Sequence, residues 1–338
     1  MKYNLELYIS PWRDPYQNLA FEDQLLSKIG PEDKYLLVYQ NDPSVVYGRF
    51  QNPWREINLV NIKSSAQKIH VVRRQSGGGC VYHDLGNMCF SFLHGSRDHH
   101  KDDNYQIILN ALEKLGIKAT SSNRSDLILE DGRKFSGSAF KQKKDRSFHH
   151  GTLLMNSKLD TLNEILDSPL KELEGKGILS NRSTVVNLTE LNPSIQFQKL
   201  GGFLNESFEA FYQAKATLGK NEFDNHEYLQ FLKSEEWIYG ETPEFFVKTE
   251  AFDLIIKKAI LEKAEFHQIP ENIFQFLKQE LVGQSVKGEY LEKVMERAYK
   301  VFPHPYLFQL EETAKIFEDF LDESYVSFSK KDEGIIVS

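Results

Sequence analysis

RRQSGGGCVYHDLGN, Arg73 to Asn87, decides how the rest of this chain is read. Three consecutive glycines, Gly77 to Gly79, remove every Cβ from one turn, so backbone N–H groups can press against something bulky and negative. Arg73 and Arg74 add charge beside the turn. That is how a chain holds a phosphate, yet no Gly-Lys-Ser/Thr follows and the spacing is not that of the dinucleotide fingerprint. The cradle belongs to another class.

Outward from the turn, local signals predict alternating helices and strands. Asp14-Pro15 with Gln17 supplies an N-cap, a proline at the first helical position and a capping-box partner, so a helix runs to about Lys28 before Gly30-Pro31. LELYIS, YLLVYQ, VVYGRF and KIHVVR read as strands before the turn, with a helix over 55–68; NMCFSFL is a strand after it. Tyr105, Ile108, Leu109, Leu112 and Leu115 share a helix face that ends at Gly116. Asp131-Gly132, between two alternating runs in DLILEDGRKFSGSAF, is the strongest hairpin signal. Its second strand carries Lys134, Gly137 and Ser138. A basic run follows, Lys141, Lys143, Lys144 and Arg146, and then the strand FHHGTLLM with His149 and His150. Residues 171–183 read as a long loop, and STVVNLTEL as a strand or helix cap. Helices fill 197–213 and 225–233. EEWIYGETPEFF marks a domain boundary around Pro243; strands in DLIIKKAILEKAEFH, with a helix as the rival reading, and helices over 269–283, 289–300 and 307–321 come after it.

The 338 residues suggest one large domain plus a small one, and 40% hydrophobic with 27% charged residues is a soluble globular composition. Nothing approaches eighteen uninterrupted apolar residues, and the first residues lack the pattern of a signal peptide, so an intracellular protein with no membrane partner is expected. Cys80 and Cys89 have neither metal-site nor disulfide-framework spacing. A formal charge of −8 argues against non-specific nucleic-acid binding, so any anion is held locally.

The order of segments is more specific than any one of them. RRQSGGGCVYHDLGN, KFSGSAF, KDRSFHHGTLL and SNRSTVVNLTEL, preceded by DPYQNLAFEDQLL and SVVYGRFQNPWRE and followed by WIYGETPEF, resemble the lipoate–protein ligase A family of the lipoyl/biotinyl ligase superfamily. The resemblance covers roughly residues 5–250 and continues more weakly to the end. It implies an α/β (α+β) fold like that of class II synthetases and biotinyl ligases. The catalytic domain, two mixed β-sheets flanked by helices, spans 1–243, and a small α+β accessory domain spans 244–338. It implies that lipoate and MgATP give lipoyl-adenylate, whose acyl group passes to a lysine of an acceptor protein. Acceptors would be apo lipoyl domains of 2-oxo acid dehydrogenase acyltransferase subunits and the glycine-cleavage H protein. A monomer is expected, in the cytoplasm or, for a eukaryotic source, the mitochondrial matrix.

Carried over residue by residue, Lys134 matches the essential lysine, whose ammonium can lie between the acyl carboxylate and the α-phosphate. Arg74, Ser76, Gly77, Gly78, Gly79, Cys80, Val81, Tyr82 and Arg182 match nucleotide-contacting positions. His83, Gly137, Ser138, His149 and Gly151 match the lipoate side, with Asn87 and His150 as further wall residues. His83 and His149 have a plainer reading as imidazoles bonded to neighbouring backbone. Asp126 is the candidate for Mg²⁺ contact; it follows Ser125, where the family commonly has Asn. Loop 171–183 is expected to close over the adenylate. The lysine run 141–146 is expected to dock an acidic acceptor. Alternatives within the superfamily are a transferase that uses preformed lipoyl-AMP, an ATP-independent octanoyltransferase and a biotin ligase. A catalytically inert nucleotide-binding scaffold is the reading from another class.

Overall fold

A computed structural model describes residues 3–95, 101–122, 124–170, 173–248, 252–267 and 270–286, with 294, 297, 300 and 301. In chain order its strands are β1 (Asn4–Ile9), β2 (Asp33–Tyr39), β3 (Ser44–Tyr47), β4 (His70–Arg73), β5 (Val81–His83), β6 (Asn87–His94), β7 (Ala119–Ser121), β8 (Asp126–Leu129), β9 (Lys134–Gln142), β10 (Ser147–Leu154), β11 (Glu174–Gly175), β12 (Ala216–Leu218), β13 (Phe245–Lys248), β14 (Phe252–Lys257) and β15 (Ile260–Phe266). Its helices are α1 (Pro15–Lys28), α2 (Pro53–Glu56), α3 (Leu59–Ser64), α4 (Lys101–Glu113), α5 (Leu159–Leu166), α6 (Phe197–Tyr212), α7 (His226–Lys233) and α8 (Glu271–Leu281). The helices expected over 289–300 and 307–321 fall largely outside the described residues.

The chain forms two compact units. The first holds residues 1–51, 66–166 and 178–238; the second holds 52–65, 167–177 and 239–338. The sequence places a single break at 243/244, which falls inside the second unit.

The first unit contains an eight-stranded mixed sheet in the order β12-β1-β2-β6-β10-β9-β8-β7 and a three-stranded mixed sheet, β4-β3-β5. Strand alternation sorts the large sheet's side chains onto two faces. Leu36, Val38, Phe90 and Phe92 pack with Tyr105, Ile108 and Leu112 of α4 and Leu200, Leu204 and Phe208 of α6. Leu37, Tyr39, Cys89 and Leu93 pack with Phe21, Leu25 and Leu26 of α1. Both faces are covered, which is why β6 is buried along its whole length.

Local rules account for several elements. Asp14 accepts from the Tyr16 and Gln17 amides at 2.9 and 3.2 Å, starting α1 where expected. Gly132, at φ +85°, closes the β8–β9 hairpin by donating to the Leu129 carbonyl at 3.0 Å. STVVNLTEL gives one parallel bridge at Val185 to Lys134, and then a short 3₁₀ turn, Leu188–Glu190, begun by an Asn187/Glu190 capping box. The single helix expected over 55–68 is instead two. Asn52 caps α2, and the Asn58 side chain, which accepts from the Asn61 amide at 3.0 Å, starts α3 afresh.

In the second unit β11-β13-β14-β15 form a sheet. Trp54, fully buried, stacks on Phe245 with centroids 5.4 Å apart. Ile273, Leu277 and Leu281 of α8 are buried beside β15. No helix among the described residues is long and apolar enough to cross a membrane.

Candidate functional site

Register brings the site together on one face of the large sheet. Asp126 of β8 lies opposite Gly137 of β9, whose amide donates to the Thr152 hydroxyl of β10 at 3.3 Å. Cys89 of β6 pairs with Thr152 on one side and Tyr39 of β2 on the other. Because antiparallel partners project to the same side, this row forms a continuous wall. Asp126, Gly137, Thr152, Cys89 and Tyr39 line a cavity of about 260 Å³, together with Ala139 and His150, two residues along their strands. Gly78, Gly79, Cys80 and Val81 of the glycine turn and residues Ile178 to Asn181 complete it.

Lys134 opens β9 and also lines the cavity. Its Nζ stands 2.8 Å from Asp126 Oδ1, with about a fifth of each side chain exposed. A Cβ at position 137 would come within 3.0 Å of that nitrogen, so glycine there leaves the ammonium room. Asp126 follows Ser125, whose φ is +66°. That left-handed backbone suits Asn better than Ser, a physical reason for Asn at this position. Among the described residues no group of three or more His, Cys, Asp or Glu stands ready to hold a metal.

The two arginines do not supply free charge to the turn. Arg73 is fully buried: its Nε donates to the Ile238 carbonyl, Nη1 reaches the carbonyls of Arg49 and Gln51, and its guanidinium lies 4.8 Å over the Tyr47 ring. It braces backbone, and the expectation of charge for a ligand is corrected. Arg74 is buried at the cavity wall. Its Nη2 donates to the carbonyls of Gly77 and Gly79, both at 2.7 Å, its Nη1 to Val46 and its Nε to Ser76 Oγ, both at 3.0 Å. Burial pulls this guanidinium down to about 10. Arg74 therefore fixes the shape of the glycine turn by gripping its carbonyl oxygens. Gly78, at φ +93°, takes a backbone that favours glycine, and a Cβ there would meet Arg74 Nη2 at 2.9 Å.

Ser76 Oγ continues the chain to His150 Nε2 at 2.7 Å, and His150 Nδ1 faces both oxygens of buried Glu22 at 3.0 and 3.1 Å. A second chain starts at Ser10, whose hydroxyl meets Asn18 Oδ1 at 2.5 Å; Asn18 Nδ2 meets Asn41 Oδ1 at 2.8 Å, and Asn41 Nδ2 meets His83 Nδ1 at 3.0 Å. Burial first, then the nearby Arg74 and His150 charges, pulls His83 down to about 3 and keeps it neutral.

Of the residues singled out in the sequence, Lys134, Arg74, Gly78, Gly79, Cys80, Val81, His83, Asp126, Gly137, Ser138, His150 and Gly151 meet around the cavity. Ser76, Gly77, Tyr82, Asn87, His149 and Arg182 are not in its wall. His149 is fully buried among rings, stacked on Phe140 at 4.3 Å and edge-on to Tyr105 and Phe90. Neighbouring rings surround it. Arg182 is exposed and reaches the Leu166 carbonyl at 3.4 Å. At Gly151 a Cβ would strike the Gly137 carbonyl and the Phe90 ring, both at 2.6 Å. Ser180, unmarked in the sequence, accepts from the Cys80 amide at 2.8 Å and from Gln51 Nε2 at 3.0 Å, which seats residues 178–181 on the turn. Glu22 and Ser180 lie inside the quoted segments DPYQNLAFEDQLL and SNRSTVVNLTEL but carry no chemical spacing of their own, and Asn41 and Tyr39 sit in a turn and a strand without one.

The basic run is partly consumed inside the fold. Lys141 lies between Gln75 and Asp23, 3.2 Å from the latter, and Arg146 binds the Leu26 and Ser27 carbonyls and Asp145. Lys143 and Lys144 are exposed, with Lys143 3.8 Å from Asp23.

Residues 14–209 match the family described as Lipoyl protein ligase A/B catalytic domain. A protein named lipoate-protein ligase A from Bdellovibrio bacteriovorus is 40% identical over 258 residues, 73% of this chain and 76% of that one. Among solved structures, P. falciparum LipL1 in complex with lipoate is similar with a TM-score of 0.62 and 27% identity, covering 93% of this chain and all of that one. Lipoate-protein ligase A bound with ATP is similar with a TM-score of 0.59 and 23% identity, covering 70% and 98%, a likeness of fold.

Proposed function

We propose, since this chain belongs to the lipoyl protein ligase A/B family, that it is a lipoate–protein ligase working in two steps at the cavity beside Lys134. The observation that carries this reading is the ammonium of Lys134 at the wall of a cavity bounded by the side-chain-free turn. In the first step a lipoate carboxylate oxygen attacks the α-phosphorus of ATP, and pyrophosphate leaves. Both reactants are anions, and the compact Lys134 charge between them offsets their repulsion and the charge growing in the transition state. In the second, an acceptor lysine amine attacks the acyl carbon and AMP departs. The turn, held by Arg74, offers backbone N–H groups to phosphate oxygens. Mg²⁺ would arrive with ATP, held by Asp126 and phosphate oxygens, since Mg²⁺ commonly takes one or two carboxylates beside phosphate. Residues 178–181 keep water from the mixed anhydride.

Acceptor docking falls to the exposed Lys143 and Lys144, facing an acidic lipoyl domain. The KM for acceptor in Lys143→Glu/Lys144→Glu should rise and lose salt sensitivity; a KM insensitive to both salt and charge would refute the docking role.

An ATP-independent acyltransferase needs a thiolate nucleophile. Burial pushes the Cys89 thiol well above its ordinary range, which supports the ATP-dependent reading. Lipoate-dependent exchange of pyrophosphate into ATP without acceptor tests the ligase. Its absence, with transfer from synthetic lipoyl-AMP intact, would select the transferase that performs only the second step.

A further inference from the structure

One wall of the cavity carries a hydrogen-bond donor whose direction is set by a buried chain of amides. The Asn18 amide nitrogen faces the carbonyls of Trp12 at 3.1 Å and Gln40 at 3.3 Å, both of which can only accept. Its orientation is thereby fixed, and the same nitrogen donates to Asn41 Oδ1 at 2.8 Å. Asn41 must then turn its Nδ2, which can only donate, toward His83 Nδ1 at 3.0 Å. Cys89 Sγ, 3.6 Å from the same ring nitrogen, adds a second weak donor there. A neutral imidazole accepting at Nδ1 carries its proton on Nε2. That atom is buried and has no hydrogen-bond partner among the described residues, on a side chain that lines the cavity. A buried donor with no acceptor costs stability unless a ligand supplies one.

The position of this donor identifies the acceptor. Lys134 Nζ lies over Gly137 of β9, and from there the lining row runs β9, β10, β6, so the Cys89 and His83 end lies about two strand spacings, roughly 10 Å, from the carboxylate end. An acyl chain whose carboxylate meets Lys134 places its far end here. In lipoate that end is a dithiolane ring, and its sulfurs are the only acceptors along the hydrocarbon. We infer that His83, held in one tautomer by Asn18 and Asn41, donates from Nε2 to the dithiolane and selects lipoate over acyl chains of the same shape that lack sulfur. This rests on the ligase reading and adds to it a basis for substrate choice.

The test compares pyrophosphate exchange with lipoate and with its carbocyclic isostere, 5-cyclopentylpentanoate. In His83→Phe the ratio of kcat/KM for the two acids should fall about three- to tenfold, the worth of one modest hydrogen bond. His83→Gln, which keeps a donor near the Nε2 position, should retain most of the ratio. An equal ratio in all three proteins, or an equal loss in both variants, would overturn the sulfur contact. The unsubstituted protein gives an independent readout: the ¹⁵N resonance of His83 Nε2 should move on binding lipoate and not on binding the isostere, and identical shifts would also overturn it. Absence of exchange with every acid in the unsubstituted protein would instead refute the ligase reading.

Discussion

Lys134 is held by one carboxylate, 2.8 Å away, and otherwise faces a cavity with room for anions. Lys134→Ala should lower lipoate-dependent pyrophosphate exchange by about 10²–10³-fold while leaving the thermal midpoint near that of the parent. Near-normal exchange would remove the residue from the mechanism. His83 sets a second expectation, in stability. Its folded-state value near 3 lies below the ordinary 6.5, so the unfolded chain binds a proton there that the native protein does not. Stability is complete above about 6.5 and falls as pH drops toward 3, by up to about 1.4 kcal/mol per pH unit from this group. Urea midpoints at pH 7, 5 and 4 should show the parent losing ground to His83→Phe on acidification; parallel curves would contradict this. Lys134 was legible because a hairpin signal and a family motif coincide on it. The arginines were legible as charges but not as braces, because carbonyl partners leave no trace in side-chain type. Nor can local spacing reveal the lock on His83, since Asn41 lies 42 residues away.

Turns show the same limit among the elements. Asp131-Gly132 announces its hairpin because glycine takes the left-handed backbone freely. The β14–β15 hairpin uses Lys258 and Ala259, with φ of +52° and +58°, a pair that carries no such signature. Both residues pay the steric cost of that region. Lys258→Gly should therefore stabilise the second unit by about 1 kcal/mol. Differential scanning calorimetry would register it, and a drop in midpoint would show the strain to be absent. The strands of the large sheet were readable as apolar runs, and the helix over 55–68 was misread because the Asn58 cap looks like any polar position in a helical stretch.

At the scale of the whole chain, the grouping of 52–65 and 167–177 with residues beyond 238 was hidden from sequence reasoning, because contacts between remote segments have no period. A chain ended after Pro243 loses the Phe245 ring from Trp54 and the β13 partner of β11. Such a truncation should be cut by trypsin within 52–65 and 167–177 on the order of tenfold faster than the full chain. Equal rates would mean that these stretches stand without their C-terminal partners. The Trp54–Phe245 stack also has a consequence during synthesis. The tryptophan leaves the ribosome nearly two hundred residues before the phenylalanine, which at about 5–20 residues per second leaves a large indole unsheltered for on the order of ten seconds or more. The nascent polypeptide should therefore need shelter over that interval: depleting holding chaperones should lower soluble yield even when the finished protein is fully stable, and an unchanged yield would contradict this.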